Sequence, residues 1–246
     1  MQKEEREILR RLFKVKQTEG EMMKERGYRL DRVHQMTIQN NNISFYTLIN
    51  PEFYNLDYTF DKFLEFRSTS NLFRSRLEFS CLYESPNDPQ DRVIVLYITN
   101  QPSKKSSKED INILFYFIKD QNPDNKVKHF ILISETGIQP TQMTTINNQI
   151  SGYNIEIFRD ENLAFNYSKH AYCPIDVKLV KNKDVKKWEE EEGLVSSQLP
   201  LILDTDPLSL WYNAKSLDVF QTRILGMETD EAVYYRIVRK NNALKK

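Results

Sequence analysis

Two carboxylates stand where a metal-dependent nuclease needs them. Asp91 precedes the apolar run RVIVLYIT, and Glu156 lies inside IEIF. Such chemistry holds Mg²⁺ between carboxylates on adjacent strands, with a lysine close by. Two positions after Glu156, however, the residue is Phe158, and the Asp176-Val177-Lys178 triplet lies in another part of the chain. The histidines His34, His129 and His170 have no partner at metal-ligand spacing, and Cys81 and Cys173 complete no zinc site with them. There is no nucleophile elbow, Walker loop or dinucleotide fingerprint, and six glycines argue against a phosphate-cradling loop. No cofactor is expected. Lys104, Lys105 and Lys108 make a small basic loop that either is solvated or meets phosphate. The run KKWEEEE mixes signs on a short helix and reads as a solvated face.

The elements that would position these residues follow from hydrophobic period. The 246 residues suffice for one large domain or two small ones, and 39% hydrophobic residues support a core. Lys plus Arg and Asp plus Glu both number 35. A protein that holds nucleic acid alone usually carries a basic excess, so any nucleic-acid contact here is expected within a larger assembly. The charged start MQKEEREILRR has no apolar signal region, no run is long enough to span a membrane, and the two cysteines read as buried free thiols. An intracellular, soluble protein is expected.

KEEREILRRLFKVKQTEGEMMKERGY has helical spacing, as one helix or as two broken at Gly20, with Gly27 as a left-handed C-terminal cap. IQNNNISFY is polar and loop-like before ISFYTLI turns strand-like, and RSRLEFSCLY alternates as a half-buried strand over 74–83. RVIVLYIT, KHFILIS and GYNIEIFR read as strands, separated by helices over INILFYFIKD and after Gly137. This pattern predicts parallel pairing in a mixed α/β layer domain. After Tyr167 the texture changes: a charged helix capped by Asn182, then LDVFQTRIL and AVYYRIV as a hairpin, make a smaller domain. The expected domains are 1–167 and 168–246.

The stretch SSQLPLILDTDPLSLWY carries a resemblance. Gln198, Leu199, Pro200, Ile202, Asp206 and Pro207 fall in register with the signature of the fifth, shared subunit of eukaryotic nuclear RNA polymerases, whose C-terminal domain corresponds to the archaeal H-type polymerase polypeptide. His170 and Pro174 of HAYCP, and YRIV with Tyr235 and Arg236, match the same family, as do Arg11, Leu12, Lys14, Arg26, Gly27 and Tyr28 of the opening helix. The chain departs from the pattern at Leu201, at Gln139-Pro140-Thr141-Gln142, and after the Asp-Pro helix, where Asn213 and Leu217 stand in place of glycines and only Lys215 is kept of Lys-Arg. Residues 38–75 look longer than the usual form. The chain resembles a diverged member.

The resemblance implies an α+β fold. It has an N-terminal jaw domain, a mixed sheet flanked by helices, and a small C-terminal domain of the archaeal H type. It implies a non-catalytic subunit of a multisubunit DNA-directed RNA polymerase, in the nucleus, or in the cytoplasm or virion for a viral copy. The expected partners are the largest polymerase subunit, other polymerase subunits and downstream duplex DNA, with no membrane and no homo-oligomer. Docking would use His170, Pro174, Gln198, Leu199, Pro200, Ile202, Asp206, Pro207, Trp211, Tyr235 and Arg236. Lys104, Lys105, Lys108, Gln139, Pro140 and Thr141 would lie near DNA. The rival readings are a free adaptor that borrowed the fold and the nuclease above.

Overall fold

A computed structural model describes residues 3–30, 33–39, 42–47, 58–70, 73, 75–86, 88, 91–98, 127–138, 146, 148, 152–170, 173–224 and 232–241. Lys104, Lys105, Lys108, Gln139, Pro140 and Thr141 lie outside them, as do the helix expected over INILFYFIKD and most of the one expected after Gly137. The chain divides into two compact units, Met1–Phe165 and Asn166–Lys246. Among the described residues no helix is long and apolar enough to cross a membrane.

The first unit opens with α1, Lys3–Glu25, one helix that runs unbroken through a buried Gly20. Leu9, Leu12, Phe13, Lys16 and Met23 keep its buried side at helical spacing. It ends in a Schellman cap: Tyr28 N–H bonds to Met23 C=O and Gly27 N–H to Lys24 C=O, each at 3.0 Å. Gly27 takes φ +95°, a conformation that costs glycine little.

The sheet of this unit contains β1 (His34–Gln39), β2 (Asn42–Thr47), β3 (Cys81–Glu84), β4 (Arg92–Ile98), β5 (His129–Ser134) and β6 (Asn154–Arg159) in the order β2-β1-β3-β4-β5-β6. The β4–β5 and β5–β6 pairs are parallel and the rest antiparallel. The mixed sheet is the one expected. β4 and β5 are continuous apolar runs because both of their faces are covered. Leu82, Ile94, Leu96, Phe130 and Leu132 fill one face. Cys81 and Tyr97 meet α1 on the other, and Glu156 on that face meets Arg26 just past the helix end.

Two expectations for this unit fail. Of the stretch expected as loop, Ile38, Gln39 and Asn42–Tyr46 lie instead in a strand pair, with Gln39 opposite Asn42, because backbone pairing overrides a polar sequence there. Over 74–83, only Cys81–Glu84 is strand, and Arg76–Phe79 is a 3-10 turn. That turn lets the Arg76 guanidinium donate to Ile98 C=O at 2.8 Å and to the buried Asp160 carboxylate at 2.9 Å. Phe79 then packs into an aromatic group with Phe63, Phe73 and Tyr97. The second helix, α2 (Phe60–Ser70), supplies Phe63, which stacks on Phe13 of α1 at 5.1 Å between centroids.

The second unit has its own sheet, ordered β7-β9-β10-β8. Its strands are β7 (Asp176–Val180), β8 (Leu201–Leu203), β9 (Val219–Ile224) and β10 (Ala232–Arg239). β9 and β10 form the expected hairpin, and β8 pairs parallel to β10. Alternation along the strands splits the core in two. Val219 and Ile237 point to α3 (Val185–Glu192), where they meet Trp188. Phe220 and Val238 point to α4 (Pro207–Trp211), where they meet Ile202 and Leu208.

Asn182 does not cap α3. It begins a 3-10 turn, Asn182–Asp184, and its own N–H donates at 2.8 Å to Asp218. The other oxygen of the buried Asp218 accepts from Lys215 N–H at 2.9 Å. One carboxylate therefore ties the start of α3 to the turn before β9. Of the two free thiols, Cys81 is buried as expected, while Cys173 is partly exposed.

Candidate functional site

Asp206 and Pro207 form a local device in which each residue does what its chemistry dictates. The Asp206 carboxylate accepts from Leu208 N–H at 2.9 Å and caps α4. Pro207 occupies the first helical turn, where a missing N–H costs nothing. The short helix sends Leu208 and Trp211 inward, with Trp211 only 2% exposed, and leaves Leu210 at the surface. Trp211 and Ile202 are thus core residues that shape the surface from beneath.

The side of the second sheet that carries α4 also holds a cavity of about 190 Å³. Tyr167, Cys173 and Pro174 line it from the segment before β7, and Ile202, Asp206 and Leu208 from β8 and α4. Phe220 and Thr222 reach it from β9, and Tyr234 and Arg236 from β10. Strand register explains the last four. Tyr234 lies opposite Thr222 and Arg236 opposite Phe220, so all four share one face.

At this cavity burial first, then the Cys173 sulfur and the Asp206 charge, push the Tyr167 hydroxyl up; it donates to Cys173. Burial also pushes the Cys173 thiol up, against the hydrogen bond from Tyr167. Both groups are therefore neutral at physiological pH. Arg236 is exposed at the cavity, and among the described residues it has no ion-pair partner. Arg223 on the neighbouring strand, by contrast, is paired with Asp176 at 2.7 Å.

Four residues singled out in the sequence, Pro174, Ile202, Asp206 and Arg236, therefore converge on one cavity. The others do not. Tyr235 points to the opposite face, 5.4 Å from the Trp188 ring, and donates to Glu192 at 2.8 Å. Leu199 packs on that same side. His170 is exposed after the 3-10 turn Tyr167–Lys169, and Gln198 and Pro200 are exposed ahead of β8. Tyr167, Thr222 and Tyr234 join the cavity without being matched positions of the resembled family, and Cys173 joins it from within HAYCP. The alternation of Thr222 and Tyr234 along the hairpin is the available signal for two of them.

Most of the large exposed hydrophobics lie in this unit. Among the described residues, Ile175, Val195, Leu201, Leu203, Leu210, Leu217, Val233 and Tyr234 are large exposed hydrophobics, against Ile8 and Phe165 in the first unit. β8 is an edge strand, with Leu201 59% and Leu203 46% exposed. Clustered exposed apolar groups mark interaction surfaces.

The nuclease carboxylates are committed elsewhere. Arg26 holds Glu156 with two hydrogen bonds of 2.9 and 2.8 Å, and His129 is hydrogen-bonded to the same carboxylate. Burial alone would raise the Glu156 pKa, but Arg26 and His129 outweigh it and bring it down to about 2. Asp91 accepts from the Tyr28 hydroxyl. Among the described residues no group of three His, Cys, Asp or Glu is placed to hold a metal.

Residues 165–238 match the family described as RNA polymerase Rpb5, C-terminal domain. The chain is 24% identical over 217 residues to DNA-directed RNA polymerase subunit 5-like protein 1 of Arabidopsis thaliana, covering 87% of this chain and 88% of that protein. It is 23% identical over 216 residues to the DNA-directed RNA polymerases I, II, and III subunit RPABC1 of Caenorhabditis briggsae, covering 86% of this chain and 96% of that one. It is 32% identical over 71 residues to DNA-directed RNA polymerase subunit Rpo5 of Methanococcus maripaludis, which spans 29% of this chain and 90% of the archaeal protein.

Proposed function

The chain belongs to the Rpb5 family of DNA-directed RNA polymerase subunits, and on that premise we propose that it docks on the largest polymerase subunit through its second unit. In this reading it is a nuclear subunit without an active site of its own, and the first unit forms part of the jaw beside downstream DNA. One observation carries the docking half. The matched segment, 165–238, spans most of the compact unit Asn166–Lys246 and contains both the cavity and the exposed apolar edge.

Gln198, Leu199, Pro200 and Pro207 would shape the approach to β8 and α4, His170 would contact the partner from the exposed end of the 167–169 turn, and Pro174, Asp206 and Arg236 line the cavity. Ile202 and Trp211 support it from the core, while Tyr235 braces α3. The test is co-purification of tagged 1–246, 1–165 and 166–246 with the largest subunit. The full chain and 166–246 should bring it down, and 1–165 should not. The start at Asn166 matters, because Asn166 caps the 167–169 turn and Tyr167 packs on Phe220 and its neighbours. Recovery with 1–165 alone would reverse the assignment. The free-adaptor reading predicts no stoichiometric polymerase with any of the three.

For the jaw half, the turn Gly137–Gln142 and, to a lesser degree, Lys104, Lys105 and Lys108 would face DNA. Pro140, after Gln139 in that turn, would start the following helix, and Thr141 would supply a hydroxyl donor. Thr141→Glu should weaken DNA crosslinking of the assembled enzyme near this turn without loss of the subunit. Unchanged crosslinking would remove the turn from the DNA path.

A further inference from the structure

We infer that the cavity beside α4 is a socket for one anchoring side chain of the docking partner, and that the partner segment also carries a carboxylate that pairs with Arg236. This rests on the docking reading above and specifies its chemistry.

Size decides what kind of ligand is in question. At about 190 Å³ the cavity is smaller than the roughly 300–1,000 Å³ typical of small-molecule sites, so it suits a single large side chain rather than a cofactor or metabolite. Its walls are of the same kind as interface anchoring pockets. Ile202, Leu208 and Phe220 are buried, and Tyr167 adds an aromatic edge.

Charge decides what must accompany the anchor. Two charged groups line the cavity, Asp206 and Arg236. Asp206 is already engaged with the N-terminus of α4. Arg236 is exposed on an inner strand, held in place by its backbone pairing with Phe220, and among the described residues it has no counter-ion. A guanidinium presents a planar fork of donors that matches a carboxylate in bidentate fashion. An apolar anchor next to Asp or Glu satisfies both features at once. A basic partner would meet Arg236 with repulsion.

The experiment uses full-length protein assembled into the polymerase and a thiol footprint. N-ethylmaleimide at pH 8 should modify the partly exposed Cys173 of the free protein and spare the buried Cys81. Assembly should slow Cys173 modification at least tenfold. In parallel, Arg236→Glu and Arg236→Gln should each lose tenfold or more of the co-purified largest subunit, Arg236→Lys should lose less, and Arg239→Glu, on the opposite face of β10, should behave as wild type.

Circular dichroism checks that each variant is folded; if Arg236→Glu is not, the uncharged Arg236→Gln decides. Wild-type recovery with Arg236→Gln overturns the carboxylate. Unchanged Cys173 labelling in the assembly overturns the socket. In either case docking through this unit still stands if wild-type 166–246 co-purifies. Failure of both the wild-type full chain and 166–246 to co-purify overturns the docking reading and this inference with it.

Discussion

Leu217 occupies a backbone conformation at φ +74°, and Asn213 one at +48°. Both lie in the turn after α4, at the positions where the resembled family carries glycine. The departures there are therefore backbone substitutions: asparagine tolerates the left-handed region, and leucine is strained in it by roughly 1–2 kcal/mol. Leu217 is 41% exposed, so little packing is lost with its side chain. Leu217→Gly should raise the urea midpoint by a net gain of about 0.5–1 kcal/mol, since glycine's own entropy cost offsets part of the relief. Trp211→Ala should cost about 3–5 kcal/mol and lose the near-ultraviolet dichroism of the second unit, as expected for a core ring. Glu156 gives a pH signature. Its folded pKa, about 2, lies below the ordinary 4.5, so its stabilisation is fully present above pH 4.5 and is lost as pH falls toward 2. The amount is on the order of 3 kcal/mol. Urea melts at pH 5 and pH 3 should show a steeper loss for wild type than for Glu156→Gln. The sequence makes some of these residues legible and hides others. Asp206 and Pro207 announce a helix start because a cap acts on the next two residues. Asp218 and Asp160 do not, because they serve backbone and guanidinium groups 36 and 84 positions away.

α1 is held to its sheet by more than an apolar stripe. Lys16 and Glu19 form an ion pair of 2.7 Å with both side chains at or below 1% exposure. Lys16 also donates to the Cys81 sulfur at 2.8 Å, and the Tyr97 hydroxyl donates to Glu19 at 2.9 Å. Burial pushes the Cys81 thiol up to about 12, so it stays protonated within this group. Removing one partner of such a pair strands a buried charge, and Lys16→Met should cost about 3–5 kcal/mol in thermal or chemical melts. Lys16→Met combined with Glu19→Leu should recover part of that. The remaining loss is about 1–3 kcal/mol for a Tyr97 hydroxyl left without its acceptor. Helical spacing points to the apolar side of α1, but a lysine and a glutamate inside that stripe carry no mark of being buried. At strand level, β4 and β5 are readable because both faces are apolar. The three-residue β8 is not, since its identity comes from pairing with β10, which lies more than thirty positions later.

For the whole molecule, balanced charge sets the expected behaviour in isolation. With 35 basic and 35 acidic residues, the free chain should bind duplex DNA no more tightly than the roughly 10⁻⁴–10⁻⁶ M of non-specific contacts at physiological salt. Fluorescence anisotropy with a labelled duplex checks this, and submicromolar binding would contradict it. The two separate cores also mean that each unit answers to its own mutations, so core lesions in one should leave the dichroism of the other in place. The edge strand β8 has a consequence of another kind. An open edge that carries exposed Leu201 and Leu203 can pair with another copy, and its three-residue length limits how far such pairing extends. Copies in excess of whatever covers this edge should therefore self-associate weakly, as light scattering of the free chain against concentration would show.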